Sequence, residues 1–402
     1  MSHWKSHKES LLPKIGDPNG KLYSTVFLQR FFQTVKPMVD VRIEKLAKLS
    51  VHYCIDVRPK QKVLIQGSEQ AFPLIRELYK ECLLSDAYPT IFANLDTRYT
   101  FFKHAKKHQL TFVSPLEKFI IEDIDANIGI FCEPNPKRLT NIDPKKMRMQ
   151  AAARKDITQI FYKRVAEGKL KWTILPYPIN GDAQEASMAL PEYEDFVYSS
   201  CLVDKEDPIA EWKKIAQQQR EISKFLNQTN EIHIIGEDTN LTFNVKGRKW
   251  IPSEGKENMP DGEVFTGPVE DSADGIIRFT YPGIIMGKEV EDIKLTFKKG
   301  KVVKASATKG NDFLQQICKI EGANRIGETA IGTNYGITKF TKNMLFDEKM
   351  GGTIHMALGN SYPESGGLNK SAIHWDILKD MRKDGEIYAD GKLFYKNGKF
   401  LV

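Results

Sequence analysis

The chain has 402 residues, 41% hydrophobic and 10% aromatic, a globular composition too long for one ordinary core, so two domains are expected. No run approaches the roughly 18 apolar residues of a membrane span, and the opening "MSHWKSHKESLLPKIGDPNGK" has no apolar core of signal-peptide length; the reading is a cytoplasmic protein with no membrane partner. The net charge of +7 comes from 59 basic residues scattered among 52 acids, and without a long basic block it does not favour a nucleic-acid partner.

Residues 1–38 are polar and irregular and are read as an N-terminal extension. From Val39 the texture changes. "VRIEKLAKLSVHYC" (41–54) carries apolar residues at helical spacing, "KVLIQG" (62–67) is a short apolar run ending in glycine, "AFPLIRELYKECLL" (71–84) is helical again, and "YPTIFAN" (88–94) reads as a strand. "RYTFFKHAKKHQ" (98–109), the most basic stretch with aromatics, reads as a solvated helix face. "NIGIFCEP" (127–134) and "KWTILPYP" (171–178) add further buried strands. This alternation predicts an α/β/α domain over 39–205 with a largely parallel sheet.

"DPIAEWKKIAQQQREISKFL" (207–226) predicts a strong helix, with Asp207 as N-cap and Pro208 at the first helical position. The domain boundary is placed just before it. Beyond, "EIHIIG" (231–236), "NLTFNV" (240–245) and "DIKLTFKKGKVVKASA" (292–307) read as strands. Lys299-Gly300, Asp390-Gly391 and Asn397-Gly398 mark turns, and one helix is expected near 311–320. Residues 206–402 are therefore read as a β-rich domain, mainly antiparallel.

Chemistry concentrates in "GGTIHMALGNSYPESGG" (351–367) and "SAIHWD" (371–376). If the first begins as a strand, Ile354, Met356 and Leu358 face the core, and Thr353, His355 and Ala357 face the other way. Residues two apart share a face on a strand, so His374 and Asp376 can converge on one point; alternatively Asp376 only orients His374. Three acids sit among glycines and apolar residues: Glu263 in "MPDGEVFTGP", Glu328 in "RIGETAIGTN" and Glu348 in "LFDEKMGGTIH". Each alone is compatible with a surface turn. Together with His355, His374 and Asp376 they form a set of six oxygen and nitrogen ligands without sulfur, which suits one or two divalent metals such as Zn, Co or Mn. The five cysteines are odd in number and form no Cys-x-x-Cys, which argues against a disulfide framework or a thiolate site.

"PDGEVFTGPVEDSADGIIRFTYP", "GETAIGTNYGI", "FDEKMGGTIHMALGNSYPESGG" and "SAIHWD", in this order between positions 260 and 376, resemble the motifs of the aminopeptidase T / aminopeptidase S family of metallo-aminopeptidases. The likeness extends more loosely into the first half through "VRPKQKVLIQGS" and "LIRELYKE", and excludes residues 1–38. The resemblance implies metal ligands at Glu263, Glu328, Glu348, His355, His374 and Asp376, with Glu328 as the bridging carboxylate. It implies a catalytic tyrosine at Tyr362; in the metal-assisted hydrolysis that follows from this reading, a carboxylate, Glu263 or Glu328, is expected to shuttle the proton to the leaving amine. It also implies a β-rich catalytic domain holding two divalent ions, peptide substrates with a free N-terminus, and a homodimer. The rival readings are another metal-dependent dipeptidase or amidase of the same architecture, a basic nucleic-acid-binding protein without catalysis, or a structural dimer that has kept the motif but lost activity, against which the complete ligand set argues.

Overall fold

The structure, a computed structural model, describes residues 40–401; the expected extension over 1–38 lies outside them. The described chain begins with a helix, Val41–Leu49, whose last turn widens into a π-helical segment, Ser50–Cys54. Strand β1 (Lys62–Ser68), a helix over Phe72–Leu84 and β2 (Tyr88–Asn94) complete the first βαβ unit. β3 (Ala126–Phe131) and β4 (Lys171–Pro176) follow, separated by helices over Pro144–Ala153 and Lys155–Ala166. The four strands form one parallel sheet in the order β2-β1-β3-β4. Parallel strands need crossover connections, and the helices supply them.

The helix predicted over 207–226 runs from Pro208 to Leu226, and the Asp207 carboxylate accepts the Ala210 N–H at 3.0 Å. Such a cap is worth about 1 kcal/mol. Trp212, Ala216, Ile222 and Leu226 are buried along one side of it. On the same helix Gln219 is buried, and its Nε2 donates to the Ser253 carbonyl at 2.9 Å, the Glu263 carbonyl at 3.2 Å and Thr333 Oγ1 at 2.9 Å. This one side chain ties the helix to the strands that carry the site.

The strands after this helix are β5 (Glu231–Gly236), β6 (Thr239–Asn244), β7 (Ile251–Ser253), β8 (Glu263–Thr266) and β9 (Asp274–Arg278). β10 (Gly283–Ile285), β11 (Lys288–Val290), β12 (Lys294–Lys298) and β13 (Lys301–Ser306) precede a helix over Asn311–Ile317. β14 (Ile326–Gly332), a short helix over Met344–Asp347 that the sequence reading did not anticipate, β15 (Thr353–Gly359) and β16 (His374–Asp380) come next. β17 (Glu386–Ala389), β18 (Lys392–Lys396) and β19 (Lys399–Phe400) close the chain.

These strands build an eight-stranded sheet, β13-β12-β9-β6-β5-β17-β18-β19, a five-stranded sheet, β16-β15-β14-β8-β7, and a separate β10-β11 hairpin. The expected hairpin turns are present, with positive φ at Asp390, Gly391, Asn397 and Gly398, the backbone that Asp-Gly and Asn-Gly supply most cheaply. One apolar core joins the long helix to the two large sheets, with Leu241, Phe243, Ile277, Leu295, Ile354, Met356, Leu358 and Trp375 among its members.

Candidate metal centre

β15 divides its side chains as alternation requires. Ile354, Met356 and Leu358 enter the core, and His355 faces the other way yet is only 1% exposed. In β16 the residues opposite Ala357 and Gly359 are Asp376 and His374. Directly paired residues share a face, so His374 and Asp376 stand on the His355 side. Across β14, Ala330 pairs with His355 and with Phe265 of β8, and Gly332 pairs with Glu263. Glu263 therefore joins the same face.

Glu328 reaches that face through a register shift. Ile326 pairs with Leu358 and Glu328 with Ala357, so one extra residue sits between them. In an unbroken strand Ile326 and Glu328 would point the same way. The bulge sends Ile326 into the core and Glu328 to the opposite face. The extra residue is Gly327, where a Cβ would lie 2.3 Å from the Gly359 carbonyl oxygen and 2.4 Å from that of Asn360. Only glycine fits without moving backbone.

Five of the six expected ligands meet in two overlapping groups. Glu263, Glu328 and His355 bring one donor atom each within 4.8 Å of one another, and Glu328, His374 and Asp376 do the same. His355 Nε2 lies 3.4 Å from Glu263 and 3.5 Å from Glu328. His374 Nε2 lies 3.1 Å from Glu328 and 3.3 Å from Asp376. Glu348 belongs to neither group: its carboxylate accepts from the Lys349 ammonium, and its backbone carbonyl accepts from the His355 ring at 2.9 Å. Tyr362, in the Gly-flanked loop, lies against the cluster, its ring 4.9 Å from that of His374 and 5.8 Å from that of Phe265.

The donor set fits a divalent cation on three counts. His355 Nδ1 donates to the Glu348 carbonyl and His374 Nδ1 to the Asn360 carbonyl at 2.8 Å. A carbonyl only accepts, so Nδ1 carries the proton and Nε2 is presented to the carboxylates, the arrangement that orients metal-binding imidazoles. Glu263 Oε2 and Asp376 Oδ1 are buried without an aligned hydrogen-bond donor, which is costly unless a cation completes them. The field of the pocket calls for positive charge. Burial pushes the His355 pKa down, but Glu328, Glu263 and Asp376 outweigh it and raise it to about 10. For His374 burial is likewise outweighed, by Asp376 and Glu328, and the pKa rises to about 11.

Sequence reasoning missed Lys349, which is fully buried beside Glu348 and stands 3.9 Å from Glu263. It also missed Gln219, whose amide braces the Glu263 backbone. The sequence reading singled out Glu348 in "LFDEKMGGTIH" but gave its neighbour Lys349 no role.

Carboxylates and imidazoles gather on one face of an antiparallel sheet, in a chain that also carries a parallel α/β sheet, and this donor set is that of a divalent-metal site. A protein-family model described as thermophilic metalloprotease (M29) matches residues 39–400, and the chain belongs to that family. The chain is 27% identical over 400 residues to aminopeptidase 2 of Geobacillus stearothermophilus, spanning 88% of this chain and 95% of that one. It is 26% identical to aminopeptidase AmpS of Bacillus subtilis (strain 168), spanning 89% and 98%, and 26% identical to aminopeptidase T of Thermus thermophilus, spanning 87% and 95%. The solved structure of wild-type AmpT from Thermus thermophilus shares the fold, with a TM-score of 0.77 at 23% identity over 90% of this chain and 99% of that one. The resemblance and the two-part α/β and β-rich architecture expected from the sequence are borne out.

Proposed function

We propose that this metalloprotease is an aminopeptidase with a dinuclear centre, which removes the first residue from peptides with a free N-terminus. Residues 39–205 form its α/β domain and 206–402 its catalytic domain. The observation that carries the reading is that Glu328 stands in both three-residue groups, the position a bridging carboxylate must hold. Glu263 and His355 would complete one ion's donors, and His374 and Asp376 the other's. Zn, Co and Mn suit donors that are all oxygen or imidazole nitrogen. Such ions supply Lewis acidity toward the scissile carbonyl and lower the pKa of water.

The chain's own residues do the rest. Nδ1–H bonds to backbone carbonyls hold both imidazoles in register. Tyr362 remains protonated at neutral pH, because burial and then Glu328, Asp376, Glu348 and Glu263 all push its hydroxyl above the usual phenol range. A protonated hydroxyl beside the cluster can donate to the oxyanion that develops on the attacked carbonyl. Glu263 or Glu328 carries the proton to the leaving amine. The resemblance further supports a homodimer. No helix of the described residues is long and apolar enough to cross a membrane.

The test is hydrolysis of a peptide and its N-acetylated twin by chelator-stripped and metal-restored protein. Cleavage of the free peptide alone, and only with metal, is expected. Equal cleavage of the blocked peptide contradicts the aminopeptidase reading and favours a metal-dependent amidase or endopeptidase.

A further inference from the structure

Tyr362 stands on a loop, and a loop places a side chain only as well as its backbone is held. Two bonds close the root of this loop: Asn360 N–H donates to the Ile373 carbonyl at 2.7 Å and Ser361 N–H to the Asn369 carbonyl at 2.9 Å. The Tyr362 carbonyl accepts from the Ser365 N–H at 3.1 Å and from the Ser365 hydroxyl at 2.7 Å, which ties the tyrosine backbone to the turn Pro363–Ser365. That turn is held from outside the loop. Lys249 N–H donates to the Ser365 carbonyl at 2.9 Å, and Leu368 N–H donates to Glu270 Oε1 at 2.7 Å. The other oxygen of the same carboxylate, Oε2, accepts from Arg248 Nη2 at 2.6 Å. We propose that Glu270 is a positioning residue: its carboxylate clamps the far end of the loop to Arg248 and thereby holds the Tyr362 hydroxyl at the carboxylate–imidazole cluster.

The proposal rests on the role given to Tyr362 above. Three observations separate the pair from an ordinary surface ion pair. The Arg248 side chain is 8% exposed and that of Glu270 22%, so salt and water screen them less than they screen an open pair. The segment that carries Glu270 is itself anchored, with Val269 N–H donating to the Asn244 carbonyl at 2.8 Å and Arg325 donating to the Glu270 carbonyl. The loop also packs directly on the exit of β8: a Cβ at Gly267 would stand 3.1 Å from Ser365 Oγ and 3.1 Å from the Gly367 Cα. Arg248 precedes β7 and Glu270 follows β8, the strand that carries Glu263 and Phe265. The clamp therefore references the loop to the sheet that builds the cluster. Both carboxylate oxygens are engaged, so an amide, with one oxygen, cannot satisfy both partners.

A cycle of Glu270→Gln, Tyr362→Phe and the double variant tests this. Glu270→Gln should keep the parent's metal content and lower kcat roughly 10–10²-fold, the scale of a group misplaced by about 1 Å, with KM changed less than about threefold. In the Tyr362→Phe background the same change should cost less than about threefold, because the hydroxyl it positions is gone. Hydrogen exchange of metal-free protein gives a reading without catalysis: the Leu368 amide should exchange at least about tenfold faster in Glu270→Gln, while the amides of β15 keep the parent's rates. An unchanged kcat, an equal loss in both backgrounds, or exchange that quickens equally in β15 overturns the proposal, since Glu270 is then idle or merely structural. Arg248→Met removes the other half of the clamp and should show the same non-additivity. Should Glu270→Gln fail to fold, Arg248→Met decides by the same readings, and failure of both to fold overturns the proposal. A Tyr362→Phe as active as the parent is the failure of the tyrosine's assigned role, whereas Leu368 exchange that stays slow in Glu270→Gln is the failure of the clamp.

Discussion

Tyr362 and His374 touch, yet they are assigned different work. Tyr362→Phe removes one hydroxyl and keeps the ring packed between His374 and Phe265. It should retain fold and metal while kcat falls roughly 10²–10³-fold, the scale of a single oxyanion donor. KM should change less, because the hydroxyl acts mainly in the transition state. His374→Ala should lose metal along with activity. Steady-state kinetics and metal analysis of both variants check the contrast; a fully active Tyr362→Phe, or a His374→Ala with its full metal content, contradicts the assigned roles. The histidines also set a pH dependence. In metal-free protein their pKa values are raised to about 10 and about 11, so protons occupy both rings at neutral pH and a metal ion must displace them. Co²⁺ affinity should rise with pH between 6 and 9, with about two protons released per chain as the centre fills. Calorimetry in buffers of different ionisation enthalpy measures this release, and pH-independent binding would contradict it. The same raised pKa values add stability to the metal-free fold that is complete below the ordinary histidine pKa and is lost as pH climbs through 10 and 11.

At the scale of elements, the bulge in β14 is the feature on which the centre depends. Gly327→Ala places a methyl against two backbone carbonyl oxygens, so the strand must shift, at a cost of about 1–3 kcal/mol. Because Glu328 is the next residue, the variant should lose metal affinity as well as melting temperature. A Gly327→Ala protein that binds Co²⁺ like the parent would show that the bulge does not position Glu328. The same element marks where sequence reasoning stops. Period-two alternation was enough to put His355 opposite the Ile354, Met356 and Leu358 core face, and to put His374 and Asp376 together. Asp207, Asp390-Gly391 and Asn397-Gly398 announced their helix start and turns by local chemistry. Alternation alone, however, sends Ile326 and Glu328 to the same side, and only the pairing with Leu358 and Ala357 reveals that they part. Lys349 was illegible for a similar reason: its burial is set by the turn after Met344–Asp347 and by Glu263, distant in sequence.

For the whole molecule, the alternation of helix and strand in the first half and the run of strands in the second were visible in the sequence, whereas the pairing of β5 with β17 across about 150 residues of chain was not. Among the described residues β2 stands at the edge of its sheet, with Tyr88, Ile91 and Phe92 exposed and Leu95 just beyond it, and an apolar edge is ordinarily managed by a covering surface. In solution the protein should sediment at twice its chain mass; a monomer at micromolar concentration would contradict the homodimer. The central claim, that two ions share Glu328, is tested most directly by adding Zn²⁺ or Co²⁺ stepwise to metal-free protein while measuring release of the first residue from an unblocked peptide. Activity should saturate only near two equivalents per chain, and Glu328→Gln should bind neither ion tightly. Full activity without metal, or saturation at one equivalent, would contradict the account.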